Sequence, residues 1–373
     1  MAVIRWRGWS VITPLTNPLK RAWMNLKLTR NTLFYNSFTN WSAVMDTLFA
    51  PMFWCVDKFV HYLGPIFVLL VVVLTTTVVV IFYVCLLPHK YDLSLGWTIY
   101  HLIFGHWLLI NIVFNYFMAA FTDPGHPPQA VPEVVSICKK CIAPKPPRAH
   151  HCSICDTCVM KMDHHCPWLN NCVGHYNHRY FFMFCTYMWI GTIYVCVCAK
   201  DLFREHFLGP EGFAAVTLAP QAVMQYLKKK TQMYEQIEES EVAALSEDIG
   251  EISDEAMSWF HQCIIYEFLL CSGVAVALGF LVAWHGRLIT RGETSIEVHT
   301  NKKERARLKK KGLVFRNPYD FGPVGNWRKL FGLGHGRTFL RHILLPSTHA
   351  PLEDGLKWQT TTYKLEDSPL LLL

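Results

Sequence analysis

Charged residues are scarce in this sequence. Asp, Glu, Lys and Arg make up 17% of its 373 residues, whereas hydrophobic residues make up 52% and aromatic residues 14%. This composition is typical of a membrane protein. The first thirty residues also lack the unbroken apolar core of a cleavable signal peptide, because Pro14, Asn17 and Pro18 interrupt it. No internal repeat is visible.

Four long apolar segments predict four transmembrane helices, since about 20 apolar residues span the hydrocarbon core of a bilayer. Formal charges are nearly absent from these segments, whereas a transporter would carry ionisable residues inside its spans. Residues 41–63 alternate aromatic and polar side chains, which fits either a helix along the membrane interface or an ordinary buried helix. The predicted spans are 66–87, 93–121, 181–199 and 268–284.

The distribution of basic residues predicts the orientation of the spans. Basic and acidic residues number seven and two in 1–59, six and four in 122–180, sixteen and eight in 286–373, but four and eleven in 202–260. Because an excess of Lys and Arg marks the cytosolic side, we expect both termini and the segment 122–180 in the cytosol. The predicted parts are an N-terminal region 1–59, helices 1 and 2 within 60–121, a cysteine-rich module 122–180, helix 3 within 181–201, a luminal loop 202–260, helix 4 within 261–286 and a C-terminal region 287–373.

Seven cysteines lie in the 35 residues from Cys138 to Cys172. Cytosolic thiols stay reduced, so we interpret them as metal ligands or catalysts and not as disulfides. Two C-x2-C pairs, at 138–141 and 152–155, have the spacing of zinc knuckles. Two tetrahedral zinc sites take eight ligands, which six cysteines and two histidines supply, so one cysteine is left over. The spacing does not fix which residues share a metal. Most of the seven cysteines elsewhere are expected to be packing residues, with lipidation as the alternative for Cys55, Cys85 and Cys185.

Cys166 is the spare cysteine, and Asp163, His164 and His165 precede it directly. A thiol beside a histidine and a carboxylate forms the constellation of a thiolate nucleophile. Because the two histidines are adjacent, we expect one to bind zinc and the other to act on Cys166. Asp163 would orient the catalytic histidine or, alternatively, support the zinc-bound one. Two rival classes are a RING-like binding module, which needs no unligated cysteine, and an inactive scaffold, which would lack Cys166 or His164.

The DHHC tetrad at 163–166, with PWLNNCVG after it, resembles the DHHC-cysteine-rich family of protein S-acyltransferases, or palmitoyltransferases. Three flanking motifs share the resemblance: DPG at 123–125, TSIE at 294–297 in place of Thr-Thr-x-Glu, and NPYDFGPVGNW at 317–327. With the four spans, it implies an all-α polytopic membrane protein. Four transmembrane helices would carry a small zinc-stabilised, loop- and β-hairpin-rich cytosolic module between the second and third.

The resemblance also implies roles for single residues. Cys166, His164 and Asp163 would transfer a long-chain acyl group from palmitoyl-CoA to cysteines of membrane-associated proteins. Ser295, which replaces the second threonine of the element, and Asn326 would give structural support. One structural zinc ion would be bound by Cys138, Cys141, His151 and Cys158, and the other by Cys152, Cys155, His165 and Cys172.

Further expectations concern the substrate and the location. Trp168 would cover the first carbons of the acyl chain or, alternatively, anchor the interface. Lys145, Arg148 and His150 would contact the phosphates of CoA or, alternatively, be solvated side chains with no ligand. Gly191 lies where the family has a residue that lines the acyl cavity; a small residue there would admit longer chains or serve helix packing. We expect a multi-pass protein of the endoplasmic reticulum membrane, with the Golgi as the alternative, whose partners are acyl-CoA, target proteins and the lipid bilayer, with no nucleic acid.

Overall fold

The computed structural model describes residues 22–27, 41–88, 94–128, 131, 136–207, 254–334 and 336–361. Contacts divide the chain into two compact units, Met1–Val60 and His61–Leu373. In the first unit the described residues are helical. The second unit contains every candidate site residue. Most of the predicted luminal loop, 208–253, lies outside the described residues.

Among the described residues, four helices are long and apolar enough to cross a membrane, which agrees with the predicted number of spans. Residues 41–63 belong to the first of these helices and are not a separate element. The helices are α1, Trp41–Ile81, which continues as a π-helical turn, Phe82–Leu86; α2, Leu95–Phe121; α3, His178–Phe207; and α4, Asp254–Thr290. The candidate spans within them are Thr47–Leu86, Leu95–Phe121, His178–Glu205 and Trp259–Thr290.

Helix α3 is the central helix of the bundle and packs against both α2 and α4. Asparagines inside the bundle use the backbone of their own helix. Asn111 donates from Nδ2 to the carbonyl of Trp107 at 2.9 Å, and Asn115 donates in the same way to the carbonyl of Asn111 at 2.8 Å. Because a bilayer offers no hydrogen-bond partners, such internal bonds let polar amides lie within a span.

The cysteine-rich module between α2 and α3 consists of three short antiparallel hairpins, as predicted. His151 lies opposite Cys158 in the second hairpin, and His165 lies opposite Cys172 in the third. Strands of three residues bury little apolar surface, so the module depends on other bonds for its stability. The pairs are β1, Ser136–Cys138, with β2, Ala143–Lys145; β3, His150–Cys152, with β4, Thr157–Val159; and β5, His164–Cys166, with β6, Asn171–Val173.

Two asparagines fasten the module to the end of α2. Asn171 donates from Nδ2 to the carbonyls of Ala120 at 3.0 Å and Thr122 at 2.9 Å, and Asn177 donates to that of Ala119 at 3.2 Å. The last carbonyls of a helix have no partners within the helix, so these amides satisfy groups that would otherwise be unbonded. The contact fixes the height of the third hairpin above the spans.

In its described part, the C-terminal region folds back through three helices onto the ends of the spans that carry the cysteine-rich module. Asn326 connects it to α4, because its Nδ2 donates to the carbonyl of Thr290 at 2.9 Å and to Asp320 Oδ1 at 2.8 Å. Its Oδ1 accepts the N–H of Phe321 at 2.9 Å. The helices are α5, Ser295–Lys309; α6, Gly322–Phe331; and α7, Phe339–His342.

Replacing Asn326 with Ala should destabilise the junction between α4 and the C-terminal region. Asn326 is 5% exposed and makes three hydrogen bonds, so its loss leaves buried partners unbonded at a cost of about 1–3 kcal/mol. We expect the apparent midpoint of thermal unfolding of the purified protein to fall by several degrees. Val324→Ala is the matched control, because Val324 lies in the same helix with 68% of its surface exposed. Equal midpoints for the two variants would contradict the role of Asn326.

Candidate active site and metal centres

One group of four side chains in the module has the geometry of a metal site. Its four ligand atoms all lie within 4.8 Å of one another. Sγ of Cys141 is 3.2 Å from Nδ1 of His151 and 3.7 Å from Sγ of Cys158. The backbone N–H of Cys141 donates to Sγ of Cys138 at 3.4 Å and lowers the pKa of Cys138 to about 7, which favours the thiolate form that binds metal. The group is Cys138, Cys141, His151 and Cys158.

A second group of four meets the same condition. Nδ1 of His165 lies 3.3 Å from Sγ of Cys155 and 3.6 Å from Sγ of Cys172. Three sulfurs and one imidazole nitrogen form a donor set typical of closed tetrahedral metal sites. Both groups have the members that the family resemblance implied. The second group is Cys152, Cys155, His165 and Cys172.

The pleat of a strand separates metal ligands from their neighbours. Successive side chains of a β-strand point to opposite faces. In β3, His151 therefore belongs to one metal group and Cys152 to the other. In β5, His165 belongs to a metal group, whereas His164 and Cys166 point away from it.

Asp163 and His164 form a hydrogen-bonded pair next to Cys166. Nδ1 of His164 donates to Oδ2 of Asp163 at 2.7 Å, and Asp163 is only 1% exposed. Burial acts to raise the pKa of the Asp163 carboxyl, but the hydrogen bond from His164 and the nearby imidazoles hold it well below its usual range. Burial also acts to lower the pKa of His164, but hydrogen bonds with Asp163 and Cys166 outweigh it and raise that pKa to about 9. This histidine is therefore poised to hold a proton from Cys166.

Ser295 holds the other side of the Asp163 carboxylate. Its N–H donates to Oδ1 at 2.8 Å and its Oγ–H donates to Oδ2 at 2.9 Å. The serine begins α5, where Thr294 and Glu297 form a capping box that fixes the first turn. The missing methyl group of the usual threonine does not remove the hydrogen bond to Asp163.

Arg148 connects the module to the same turn of α5. Its Nε and a terminal guanidinium nitrogen each donate to the carboxylate of Glu297 at 2.7 Å, and the guanidinium lies 4.3 Å from the ring of Tyr319 and 4.8 Å from that of Trp358. Burial acts to raise the pKa of Glu297, but the charge of Arg148 outweighs it and lowers that pKa. The predicted contact between Arg148 and CoA would have to share a guanidinium that Glu297 already binds. Lys145 and His150, on the flanking strands β2 and β3, are partly exposed.

A largely apolar cavity of about 500 Å³ opens beside Cys166 and extends among the four spans. Trp168 lines the same end, with its ring 4.8 Å from that of Phe67 in α1. Tyr116 donates its hydroxyl to the carbonyl of Trp168 at 3.1 Å. A long hydrocarbon chain attached at Cys166 would therefore enter a space enclosed by helices.

Two polar side chains line the end of the cavity that is remote from Cys166. His101 Nδ1 and the hydroxyl of Tyr194 are hydrogen-bonded at 2.7 Å, and both residues line the cavity. The part of α2 that lines the cavity runs from His101 to Ile112, which corresponds to about 16 Å along the helix. Gly191 also lines the cavity, and a Cβ there would lie 3.1 Å from Cδ1 of Ile112.

Two features of the site were not predicted from the sequence. His285 of α4 lies with its Nδ1 3.8 Å from Oδ2 of Asp163 and is 3% exposed. Gly64 of α1 packs so closely on Asn170 that a Cβ at this glycine would overlap the asparagine side chain. An ionisable residue near the end of an apolar span is a signal that could have identified His285. No local sequence pattern indicates the contact of Gly64 with Asn170.

Comparison with known proteins agrees with this geometry. The model of the DHHC palmitoyltransferase family matches residues 133–302. Palmitoyltransferase ZDHHC16 of Homo sapiens is 46% identical over 356 residues, which cover 93% of this chain and 88% of that protein. ZDHHC16B of Danio rerio is 44% identical over 341 residues, covering 89% and 86%. Probable protein S-acyltransferase 16 of Arabidopsis thaliana is 30% identical over 278 residues, covering 70% and 80%.

The chain belongs to the DHHC palmitoyltransferase family. The expected activity, palmitoyl transfer to proteins, is thereby confirmed, and so is the enzyme class. The sequence also resembles the Abl-philin type, the sixteenth member of the mammalian series, and the human and zebrafish relatives confirm that resemblance.

Ser295 offers a test of the bonds to the carboxylate in this palmitoyltransferase. Ser295→Ala removes the Oγ–H donor to Asp163 but keeps the N–H donor, so we expect palmitoyl transfer to slow about tenfold. Ser295→Thr restores the hydroxyl and should transfer at nearly the wild-type rate. The rates are measured with labelled palmitoyl-CoA. If Ala and Thr at this position perform alike, the hydroxyl does not support Asp163.

Proposed function

We propose that this protein moves a long-chain acyl group from acyl-CoA to cysteines of membrane-associated proteins through a thioester on Cys166. The alternation of side chains along β5 carries this proposal. His165 joins a metal group, while His164 and Cys166 lie on the other face of the strand, and Cys166 lines the apolar cavity. Asp163 completes the arrangement of nucleophile, base and orienting carboxylate.

The first half-reaction loads the enzyme. Because Nδ1 of His164 donates to Asp163, Nε2 is the nitrogen that takes the proton of Cys166. The thiolate attacks the thioester carbonyl of acyl-CoA, a bond from Cys166 Sγ to the acyl carbon forms, and the bond to the CoA sulfur breaks. The leaving thiolate takes its proton from His164, which returns to the neutral form.

The second half-reaction transfers the acyl group to the target. Neutral His164 takes the proton of a cysteine thiol of the target protein, and the resulting thiolate attacks the thioester on Cys166. Cys166 leaves as a thiolate and regains a proton from His164. The cycle is a ping-pong scheme in which one histidine moves a proton in both directions.

Two structural zinc ions would be held by the two groups of three cysteines and one histidine. The sulfur and nitrogen donors suit zinc, and each group supplies four ligands and leaves no open position. When bound, zinc supplies folding free energy, of order 10 kcal/mol per site, to a module with little core of its own. In the first group, Asp156 Oδ1 lies 3.4 Å from Nε2 of His151 and would orient that ligand.

The acyl donor would lie across the boundary between the cavity and the cytosol. The hydrocarbon chain fills the cavity below Cys166, and Trp168 covers its first carbons. The CoA headgroup stays in water, where Lys145 and His150, and Arg148 beside Glu297, supply donors for its phosphates. Palmitoyl-CoA fits this arrangement as the donor.

We place the module and both termini in the cytosol and the protein in the endoplasmic reticulum membrane, with the Golgi as the alternative. The excess of basic residues in 1–59, 122–180 and 286–373 supports this orientation. The cytosolic side is also where acyl-CoA and reduced target cysteines occur together.

Cys166→Ser tests the proposed intermediate. We expect the purified wild-type protein to acquire a hydroxylamine-sensitive label from labelled palmitoyl-CoA and the serine variant to acquire none. Both should bind two zinc ions per chain, measured by elemental analysis, since Cys166 belongs to neither group. A labelled serine variant would refute the nucleophile. Loss of zinc from that variant would show that Cys166 is a ligand.

Gly191→Phe tests the role of the cavity in chain length. The added ring would project beside Ile112 and shorten the space available to the acyl chain. We expect the preference to move from palmitoyl-CoA towards acyl-CoAs two or four carbons shorter, by about tenfold in relative rate. Gly273→Phe is the matched control, because nothing lies within 4 Å of a Cβ at that position of α4 and it does not line the cavity. An unchanged chain-length preference in the Gly191 variant would show that the cavity wall at this position does not determine which acyl chains the enzyme accepts.

A further inference from the structure

Asp163 faces a second imidazole besides that of His164. His285, near the end of α4, has its Nδ1 3.8 Å from Oδ2 of Asp163. Its ring lies 5.5 Å from that of His164 and 5.0 Å from that of Phe181, and Phe181 lies 5.1 Å from His164. Phe181 and His285 therefore form the wall against which the catalytic histidine rests.

The Nδ1 atom of His285 is buried and has no hydrogen-bond partner among the described residues. A buried polar atom without a partner costs free energy, so such atoms in native proteins call for an explanation. The carboxylate of Asp163 is the acceptor in front of this nitrogen, but 3.8 Å is too long for a hydrogen bond. An approach of about 1 Å would make one, and hydrogen bonds in active sites often tighten only when substrate is bound.

Metal binding does not account for this arrangement. Asp163, His164 and His285 bring three ligand atoms within 4.8 Å of one another, which would be close enough for a metal ion. However, the 2.7 Å between Asp163 Oδ2 and His164 Nδ1 is the distance of a shared proton, and Ser295 donates to both carboxylate oxygens. The group is therefore a set of hydrogen-bond donors around one carboxylate.

The present geometry matches the first half-reaction, because Nδ1 of His164 is hydrogen-bonded to Asp163 and Cys166 carries no acyl group. His285 is not bonded to Asp163 in this state. In the proposed second half-reaction the partner of His164 Nε2 changes from Cys166 to the thiol of the target, and a shift of the ring to meet that thiol would lengthen the bond from Nδ1 to Oδ2. Oδ2 is also the carboxylate oxygen that Nδ1 of His285 faces.

We infer that His285 is a positioning residue for the second half-reaction. It donates Nδ1–H to Oδ2 of Asp163 in the acyl-enzyme and so holds the carboxylate in place while His164 serves the incoming thiol. This inference rests on the proposed acyl-Cys166 mechanism. It requires that removing the donor slow the transfer of the acyl group more than the loading of the enzyme.

Three substitutions separate the donor from the shape of the ring. In His285→Asn, the side-chain amide lies near the position of Nδ1; in His285→Gln it lies near that of Nε2; and His285→Phe keeps a ring without nitrogen. Full-length protein with zinc bound is loaded with labelled palmitoyl-CoA and then mixed with a myristoylated peptide that contains one cysteine. Loading and transfer are timed separately as single turnovers.

We expect His285→Phe to slow transfer of the acyl group by about ten- to a hundredfold and to leave the rate of loading within about threefold of wild type. His285→Asn should transfer at close to the wild-type rate, whereas His285→Gln should not. Trp284→Phe, at a neighbouring position that is 44% exposed, should change neither step. Zinc content should stay at two per chain in all variants.

Other outcomes overturn the inference. If His285→Phe transfers the acyl group at the wild-type rate, or faster than His285→Asn, the ring of His285 acts by packing alone. Equal slowing of loading and transfer would mean that His285 has no special part in the second step. A third zinc ion that is lost on substitution would make His285 a metal ligand. Failure of the wild type to load, or loading of Cys166→Ser, would instead refute the proposed mechanism itself.

Discussion

The two-residue period of a β-strand is the constraint on which the site depends. In β5, the middle residue, His165, faces a metal group, so His164 and Cys166 must face the opposite way, towards the spans. A slip of one residue would exchange the two faces and bring Cys166 to the metal. The place of His165 in that group, opposite Cys172 in the hairpin, therefore sets the direction of the proposed nucleophile, Cys166.

The Asp163 carboxylate depends on parts of the chain that are distant in sequence. Asp163 belongs to the module, but Ser295, 132 residues later, supplies two of its hydrogen bonds. The turn that carries Ser295 is held by the ion pair of Arg148 and Glu297, and Asn326 connects the end of α4 to the C-terminal region. The site is thus assembled where the module, the end of α4 and the C-terminal region meet, and none of these parts builds it alone.

Patterns that are local in sequence were predictable, and contacts between distant elements were not. The four spans follow from runs of apolar residues, and the count of possible metal ligands at 138–172 leaves one cysteine, Cys166, outside both groups. The sharing of ligands between two metals came from the family resemblance, because hairpin register is invisible in spacing. The ion pair of Arg148 and Glu297 joins residues 149 positions apart and has no periodic signature. The packing of Gly64 on Asn170 has no periodic signature either.

The position of Cys166 between the apolar cavity and the polar group of His164 and Asp163 also bears on the stability of the proposed thioester. The residue is 7% exposed, and its neighbours Leu169 and Phe181, which line the same cavity, are 2% and 3% exposed. An acyl chain that fills this cavity displaces water from one side of the thioester, and the wall of Phe181 and His285 covers the side next to His164. Exclusion of water slows hydrolysis of a reactive intermediate. The same enclosure strengthens the electrostatic pairing of His164 with Asp163, since charges interact more strongly in a low-dielectric site. One arrangement would therefore serve both demands of the proposed ping-pong cycle: an activated thiol before loading and a protected thioester after it.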